Sequence, residues 1–375
     1  MMIVFWCSLL LILFTFVGYP ACLIFLRKYL NKQNLQPSNY DNDISVVMIV
    51  CNEASVVEKK IDNIFSQNFD LEKIKLIIVD DASDDKTVEI INAYSDHDIT
   101  LIKQAGRSGK AAGLNKAMAM VSTELVMFVD ARQEITSNAI SDLSSWFIGS
   151  NNTLAVSGEV KFRNSSGETS GMDAYQKYEK NIRFSESMVS GVPGVSGALY
   201  MLKASAFVAI PEDTILDDVL IPMMAAKKSG WIGVDERVIA WDVSSDDMSR
   251  EKKRKTRTLN GNYQLLFRHP EWCLPGGHAL WFQFLSHKVL RLMAPFIALA
   301  LISSALYLGY SEHFYIFMVG VMTIFGILLY PISIIMPSIN KIMLLRIGTS
   351  FVALNWFNLL GFVQYVFSEG KTSWK

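Results

Sequence analysis

Cysteine is scarce, and what there is does not cluster. Cys7, Cys22, Cys51 and Cys273 stand far apart with no C-x-x-C pair, and two of them lie in an uncharged N-terminal run. That spacing excludes a zinc ribbon and a disulfide framework, and it fits a reduced compartment. Charge is also short. Asp, Glu, Lys and Arg make up 19% of the 375 residues against 51% hydrophobic ones, and the formal net charge is −1. Without a basic excess there is no footprint for a nucleic-acid backbone. Two phosphate-binding signatures are missing as well. No G-x-G-x-x-G follows the first predicted strand, which excludes a dinucleotide loop. The two residues between Gly106 and Gly109 are too few for a nucleoside-triphosphatase loop, and Ala111 stands where Ser or Thr would meet magnesium.

The hydrophobic excess is concentrated. Met1–Leu26, Leu292–Ser311, Phe314–Asn340 and Ile347–Ser368 carry no charge. Each reaches the roughly 20 residues that an α-helix needs to cross a bilayer. The first run lacks the basic start and short apolar core of a cleaved signal. Arg27, Lys28 and Lys32 follow it, which places the intervening domain in the cytosol, and His287, Lys288 and Arg291 before the second run agree. Ser311, Glu312 and His313 read as a short outer turn, with Lys341 and Arg346 marking a return. The last run contains Asn355, Asn358 and Gln364, which are costly in lipid unless they face protein or water. It either crosses with that polar face packed on a neighbour, leaving Lys371 and Lys375 outside, or it is re-entrant or interfacial. The expected organisation is a transmembrane helix over 1–28, a globular domain over 38–268, an interfacial amphipathic segment over 269–291, and two or three transmembrane helices over 292–368. In the interfacial segment Trp281, Phe282, Phe284 and Leu285 mix with His278, His287 and Lys288. The histidines read as interface residues, since no carboxylate or cysteine accompanies them.

The middle domain alternates strand and helix patterns. Ile44–Val50, Lys75–Asp80, Ile99–Lys103 and Leu125–Asp130 are short apolar runs of strand type. Helical stretches follow them, the last three to about Tyr94, over about Ser108–Val121 and over about Ser137–Phe147. Strict β-α alternation predicts a parallel sheet with helices on both faces, and ligands beyond the carboxyl ends of its strands. Polar residues gather there: Asn52 and Glu53 after the first strand, Asp80 and Asp81 at the second, Gly106–Lys110 after the third, Asp130 at the fourth. Any one of them would be unremarkable, because Asp and Ser commonly cap helices. Beyond about Leu154 short strands (Leu154–Val160, Ala198–Leu202, Val238–Trp241) alternate with helices. Gly191, Gly194 and Gly197 punctuate one loop, where backbone could approach a ligand closely.

The succession VMIVCNE, IIVDDASDDKT, GRSGKAAGLNKAM and FVDARQ resembles the donor half of family 2 glycosyltransferases with the GT-A fold. GVSGALYMLKA, LDDVLIPMMAAKKSGW and RKTRTLNGNYQLL resemble the acceptor half. The resemblance covers about Ile44–Leu266, and the membrane arrangement is similar to that of cellulose, chitin and hyaluronan synthases. It implies an α/β nucleotide-diphospho-sugar transferase domain carried by transmembrane helices. A UDP-sugar is the first donor to expect, and the acceptor is a growing glycan or a lipid. The hydrophobic segments are few for a closed channel unless copies of the chain associate.

By that resemblance Glu53 and Asp81 hold base and ribose, Asp80 supports the loop, and Arg107 and Lys110 meet the base edge or the diphosphate. A lysine in the first helical turn is unfavourable against the helix dipole unless an anion compensates it, which favours a functional Lys110 over a solvated one. Asp130 matches the first position of the family's DxD metal motif, but the motif here reads Asp130-Ala131-Arg132. One carboxylate can still anchor a Mg²⁺ or Mn²⁺ that keeps its waters and meets substrate phosphates. Alternatively Arg132 neutralises the diphosphate itself. Asp217-Asp218 matches the (E/D)D motif whose second carboxylate is the base, with Glu212-Asp213 as a rival pair. Arg254 and Arg257 in RKTRT are similar to the (Q/R)xxRW motif and would face the leaving diphosphate, or belong to a basic run (Lys252–Arg257) that binds lipid headgroups. Thr258 replaces the tryptophan that lines the acceptor channel in that motif.

Overall fold

A strand that is apolar along its whole length can be buried on both faces, and β1 (Ile44–Val50) is buried throughout at the heart of the sheet. The computed structural model describes residues 1–30, 40–163, 174–243, 248–310, 314–336 and 343–367. Lys32, Ser311, Glu312, His313, Lys341, Lys371 and Lys375, which oriented the hydrophobic runs above, lie outside the described residues. The remaining strands are β2 (Ile74–Asp80), β3 (Ile99–Lys103), β4 (Leu125–Val129), β5 (Glu134–Ile135), β6 (Thr153–Arg163), β7 (Leu199–Lys203) and β8 (Trp231–Val243). Together they form one eight-stranded sheet in the order β3-β2-β1-β4-β7-β6-β8-β5.

The expectation of a parallel sheet holds for β1 to β4 and again between β6 and β8. Strand β7 runs antiparallel to β4, β6 antiparallel to β7, and β5 antiparallel to β8, so the sheet is mixed. This departure builds the site. Because Val129 pairs with Leu199, the carboxyl end of β4 abuts the start of β7 and the glycine loop preceding it. Strand order also reverses at β1, with β2 on one side and β4 on the other, which opens a crevice at their carboxyl ends.

Alternate residues of β1 feed two cores. Val47 and Ile49 join one with Leu114, Ala117 and Val219, while Ile44, Val46, Met48 and Val50 join another with Ile61, Ile64 and Leu143. Each buried aliphatic side chain contributes about 1.5–3 kcal/mol to holding helices on both faces. One helix lies in close contact with the sheet. A Cβ on Gly113 would lie 2.9 Å from Ile49, so the helix Lys110–Met118 rests directly on β1 with Lys110 at its rim end.

Three helices, Met2–Arg27, Trp281–Gly309 and Ile316–Ser333, are long and apolar enough to cross a membrane. The helix Met343–Phe367 carries a shorter apolar stretch, Phe351–Phe367. Its Asn358 faces protein: the amide donates to the carbonyl of Leu292 at 2.8 Å and accepts from Tyr263 at 2.9 Å. The expected amphipathic helix over Trp272–Leu290 is only half there. Pro275, Gly276 and Gly277 break it, so regular helix begins at Trp281. Trp272 instead packs inside the domain, stacked on His269 at 4.2 Å and edge-on to Phe284 at 5.5 Å. His278 accepts the N–H of Leu280 at Nδ1, so its Nε2 donates to the Met223 carbonyl; both ring nitrogens are used, each at 2.8 Å.

Candidate active site

Each rim loop is organised before it offers anything to a ligand. Asn52 (φ 55°) and Ala82 (φ 53°) occupy the left-handed region just beyond β1 and β2, an uncommon conformation for residues with a Cβ. The two loops are laced together: Asn52 N–H donates to Ser83 Oγ at 2.9 Å, and Asp84 N–H to Asn52 Oδ1 at 2.9 Å. Asp80 accepts the N–H of Ser83 at 3.2 Å. Asp81, expected beside base and ribose, is 2% exposed and turned towards the loop after β3. It accepts N–H groups from Ser108 at 2.7 Å, Gly109 at 3.1 Å and the Gln104 amide at 3.1 Å. Gly109 supplies the φ of +87° that this turn requires. The Asp81 carboxylate therefore fixes the loop that aims Lys110.

Lys110 is the centre of the arrangement. Its ammonium lies 3.1 Å from Asp130 at the end of β4 and 3.2 Å from Asp217 at the start of the helix Asp217–Ala225. Burial opposes that charge, but Asp130, Asp217 and Asp218 outweigh it and hold the lysine pKa well above its usual range. Carboxylates from the end of β4 and from the start of the helix Asp217–Ala225 thus share one cation. Asp217 has this counter-ion, whereas Asp218 forms no ion pair among the described residues. Burial, and then repulsion from Asp217, push the Asp218 carboxyl up to about 6 against the pull of Lys110 and Lys288. Gly197 makes room for it: a Cβ there would lie 3.3 Å from Asp218 Oδ2. The rival Asp213 is exposed and paired with Arg268.

Sequence reasoning missed Tyr200. It is 1% exposed, stacks on Phe128 at 4.7 Å, and its hydroxyl has no hydrogen-bond partner among the described residues. Burial and then Asp217, Asp218 and Asp130 push its phenol far upward, so it stays protonated and can donate towards the carboxylate group. It lies within the GVSGALYMLKA stretch, but nothing in that stretch sets it apart; the pairing of β7 with β4 brings it here.

A second cluster lies beside the first. Arg132 donates through Nε and Nη2 to Glu53, at 3.1 and 2.7 Å, in a two-pronged contact. Glu53 is 11% exposed at its side chain and Arg132 is 59% exposed, so the guanidinium keeps an open edge. Other expected residues stand apart. Arg107 pairs with Asp84 at 3.3 Å on the exposed rim. Arg254 lies 5.7 Å over the ring of Phe162, on the far part of the helix Met248–Arg268. Arg257 reaches the carbonyl of Ile215 at 3.5 Å, two residues before the carboxylate pair. Thr258 is exposed and bonded back to the Arg254 carbonyl at 3.0 Å.

For a divalent ion the donor set is thin. No group of three or more His, Cys, Asp or Glu side chains is placed to hold a metal ion among the described residues. Asp130 is 38% exposed and Lys110 engages only its Oδ1, so this carboxylate fits one ion whose other ligands are water and substrate phosphate.

A family model, "Glycosyl transferase family 2", matches residues 45–207. A poly-beta-1,6-N-acetyl-D-glucosamine synthase of Staphylococcus epidermidis is 25% identical over 231 residues, 60% of this chain and 56% of that protein. The synthase of the same name from Staphylococcus aureus (strain COL) is 23% identical over 231 residues. The match thus spans little more than half the length of these relatives. Among solved structures, a mannosyltransferase from Pyrobaculum calidifontis in complex with GDP-Man and Mn²⁺ superposes with a TM-score of 0.73 at 17% identity, over 98% of this chain and 99% of that one. That likeness is one of fold.

Proposed function

From the premise that residues 45–207 are a glycosyl transferase family 2 domain, we propose that this chain is a membrane-bound inverting glycosyltransferase. It moves a sugar from a nucleoside-diphosphate donor, UDP-linked in the first instance, to a growing glycan. The observation that carries this reading is the Lys110 bridge, with Asp218 beside it in no ion pair among the described residues.

The acceptor hydroxyl approaches Asp218, which takes its proton as the oxygen attacks the anomeric carbon. The bond from that carbon to the β-phosphate oxygen breaks, its electron pair leaves with the nucleoside diphosphate, and the configuration inverts. Lys110 places a fixed cation where negative charge develops on the leaving group. Arg132 and Arg107 lie further along the same rim, and Glu53 orients the first of these. A magnesium or manganese ion at Asp130 would add positive charge to the diphosphate. Complete chelation is therefore expected to slow transfer at least tenfold, with recovery on adding manganese. An unchanged rate would assign the diphosphate to Lys110 and Arg132 alone.

The three long apolar helices and the cations Arg27 and Lys28 support an integral membrane protein with its catalytic domain in the cytosol. The names of the curated relatives support a polysaccharide product. A second reading, transfer of a single sugar to a lipid-borne acceptor, is supported by Thr258, exposed where related synthases place a tryptophan. The test is to incubate the full chain in membranes with labelled UDP- and GDP-sugars and to separate polymeric from lipid-soluble label. Absence of label in both fractions for every donor would end the proposal.

A further inference from the structure

The helix Val57–Phe65 buries one face, made of Val57, Lys60, Ile61, Ile64 and Phe65. Four of these belong on a core face, and the lysine does not. Lys60 is 2% exposed and forms no ion pair among the described residues. Its ammonium donates to the carbonyl of Gln133 at 2.7 Å, which engages one of its three N–H groups. Burial lowers its pKa to about 7, against the pull of Asp130 and Glu134. A methionine of similar volume would fill this space without taking a charge out of water. Nor is a buried lysine required to satisfy that carbonyl, since Arg132 and Glu134 on either side of it are exposed to water. What the lysine supplies is a fixed place for the loop.

The same stretch of chain grips this loop at three successive points. Glu53, whose carbonyl accepts the N–H of Val57 at 2.9 Å, holds the guanidinium of Arg132. Lys60 holds the carbonyl of Gln133. Asn63 donates to the carbonyl of Ile135 at 3.0 Å and accepts its N–H at 2.8 Å. From the other side, the Gln133 amide donates to Asp242 at 3.1 Å. Asp130 is held without these anchors: its N–H donates to the Ala198 carbonyl at 3.3 Å, and its carboxylate meets Lys110 at 3.1 Å. The group whose place depends on Lys60 is therefore Arg132, which pairs with Glu53 and keeps 59% of its side chain exposed. A long side chain loses freedom when it binds an anion, and a backbone fixed beforehand lowers that cost.

We propose that Lys60 is a positioning residue for donor binding. It acts through the Gln133 carbonyl to hold the backbone beside Arg132, and so aims the guanidinium at the donor diphosphate. The inference rests on the glycosyl-transfer reading and extends it to a residue buried behind the crevice. Lys60 itself touches no substrate.

The test uses the full chain in neutral detergent at constant manganese. Calorimetry follows binding of UDP and GDP, with uridine and guanosine as controls that lack the diphosphate. K60M is expected to weaken whichever diphosphate binds the wild type by about tenfold, or 1.4 kcal/mol, and to leave the matching nucleoside within about twofold. R132Q should do the same. The double variant K60M/R132Q should lose about tenfold and not a hundredfold, because residues acting through one guanidinium are not additive. If K60M does not fold, K60Q, neutral and one atom shorter, takes its place. Diphosphate binding by the lysine variant within twofold of wild type overturns the inference. An equal loss for nucleoside and diphosphate overturns it too, since that marks general damage to the site. A hundredfold loss in the double variant also overturns it, because the two residues then act independently. Each of these results leaves the transfer reading standing while the wild type binds a diphosphate. Wild-type protein that binds neither UDP nor GDP removes both.

Discussion

Asp218→Asn should fold, bind nucleotide sugar and transfer almost nothing. A general base contributes about 10²–10⁴-fold to a rate, so a drop of about 10³-fold in kcat is expected, with donor affinity within about threefold of wild type. The variant should also be at least as stable at pH 7.5. The folded pKa of Asp218, about 6, lies above the unfolded carboxylate value of about 4. Between those pH values the native protein holds a proton that the unfolded chain has released. Stability therefore declines as pH rises through that window, and the full cost remains above it. Asparagine removes that cost while leaving the space beside Gly197 filled. The wild-type rate should show an acid limb with an apparent pKa near 6, below which transfer falls about tenfold per pH unit. Residual transfer above a tenth of wild type would take the base role from Asp218. An acid limb below pH 5 would deny Asp218 its raised pKa.

Lys110→Met should lose both activity and stability, which separates it from the first variant. Removing the ammonium leaves Asp130 and Asp217 facing each other without a cation, with side-chain exposures of 38% and 10%. Orphaning a fully buried partner costs about 3–5 kcal/mol; here Asp130 can rehydrate, so about 2–3 kcal/mol is expected. Removal of one preorganised positive group from the leaving-group side should lower kcat about 10²–10³-fold. Denaturation of purified protein and single-turnover transfer measure the two losses separately. Full stability with normal turnover would show that Lys110 is a surface lysine and that the bridge has no role. A loss of stability without loss of turnover would make it structural only.

Much of this was legible before any coordinates, for a reason particular to strands buried on both faces. Ile44–Val50 announces itself because it must be apolar throughout, and its limits, like those of the half-buried edge strand Ile99–Lys103, match the sequence reading to the residue. Lys110 was legible through electrostatics alone, since a cation in a first helical turn requires an anion nearby. Asp218 and Asp130 came with motifs. Less legible were the residues whose importance depends on a neighbour distant in sequence. Asp81 looks like a ligand residue by position, yet its carboxylate is consumed by Ser108, Gly109 and Gln104. Arg132 looks like a substitute for a metal ligand, yet it is first a partner of Glu53. The segment Trp272–Ala279 looks amphipathic, but Pro275 and two glycines stop a helix there and send Trp272 into the core.

Local sequence by itself determined the first four strands, the helices that follow them, the apolar spans and the polar rim, because each depends on residues close in the chain; β5 and most of β8 were not legible there. Tertiary structure alone decided which charges meet. The antiparallel docking of β7 on β4 draws Asp217, Asp218 and Tyr200 to Asp130 and Lys110, and the packing of Ala174–Val189 on Phe284–Val289 sets Glu186 against His287. Coulomb energy falls with distance and with solvent exposure, and neither quantity is written in the order of residues.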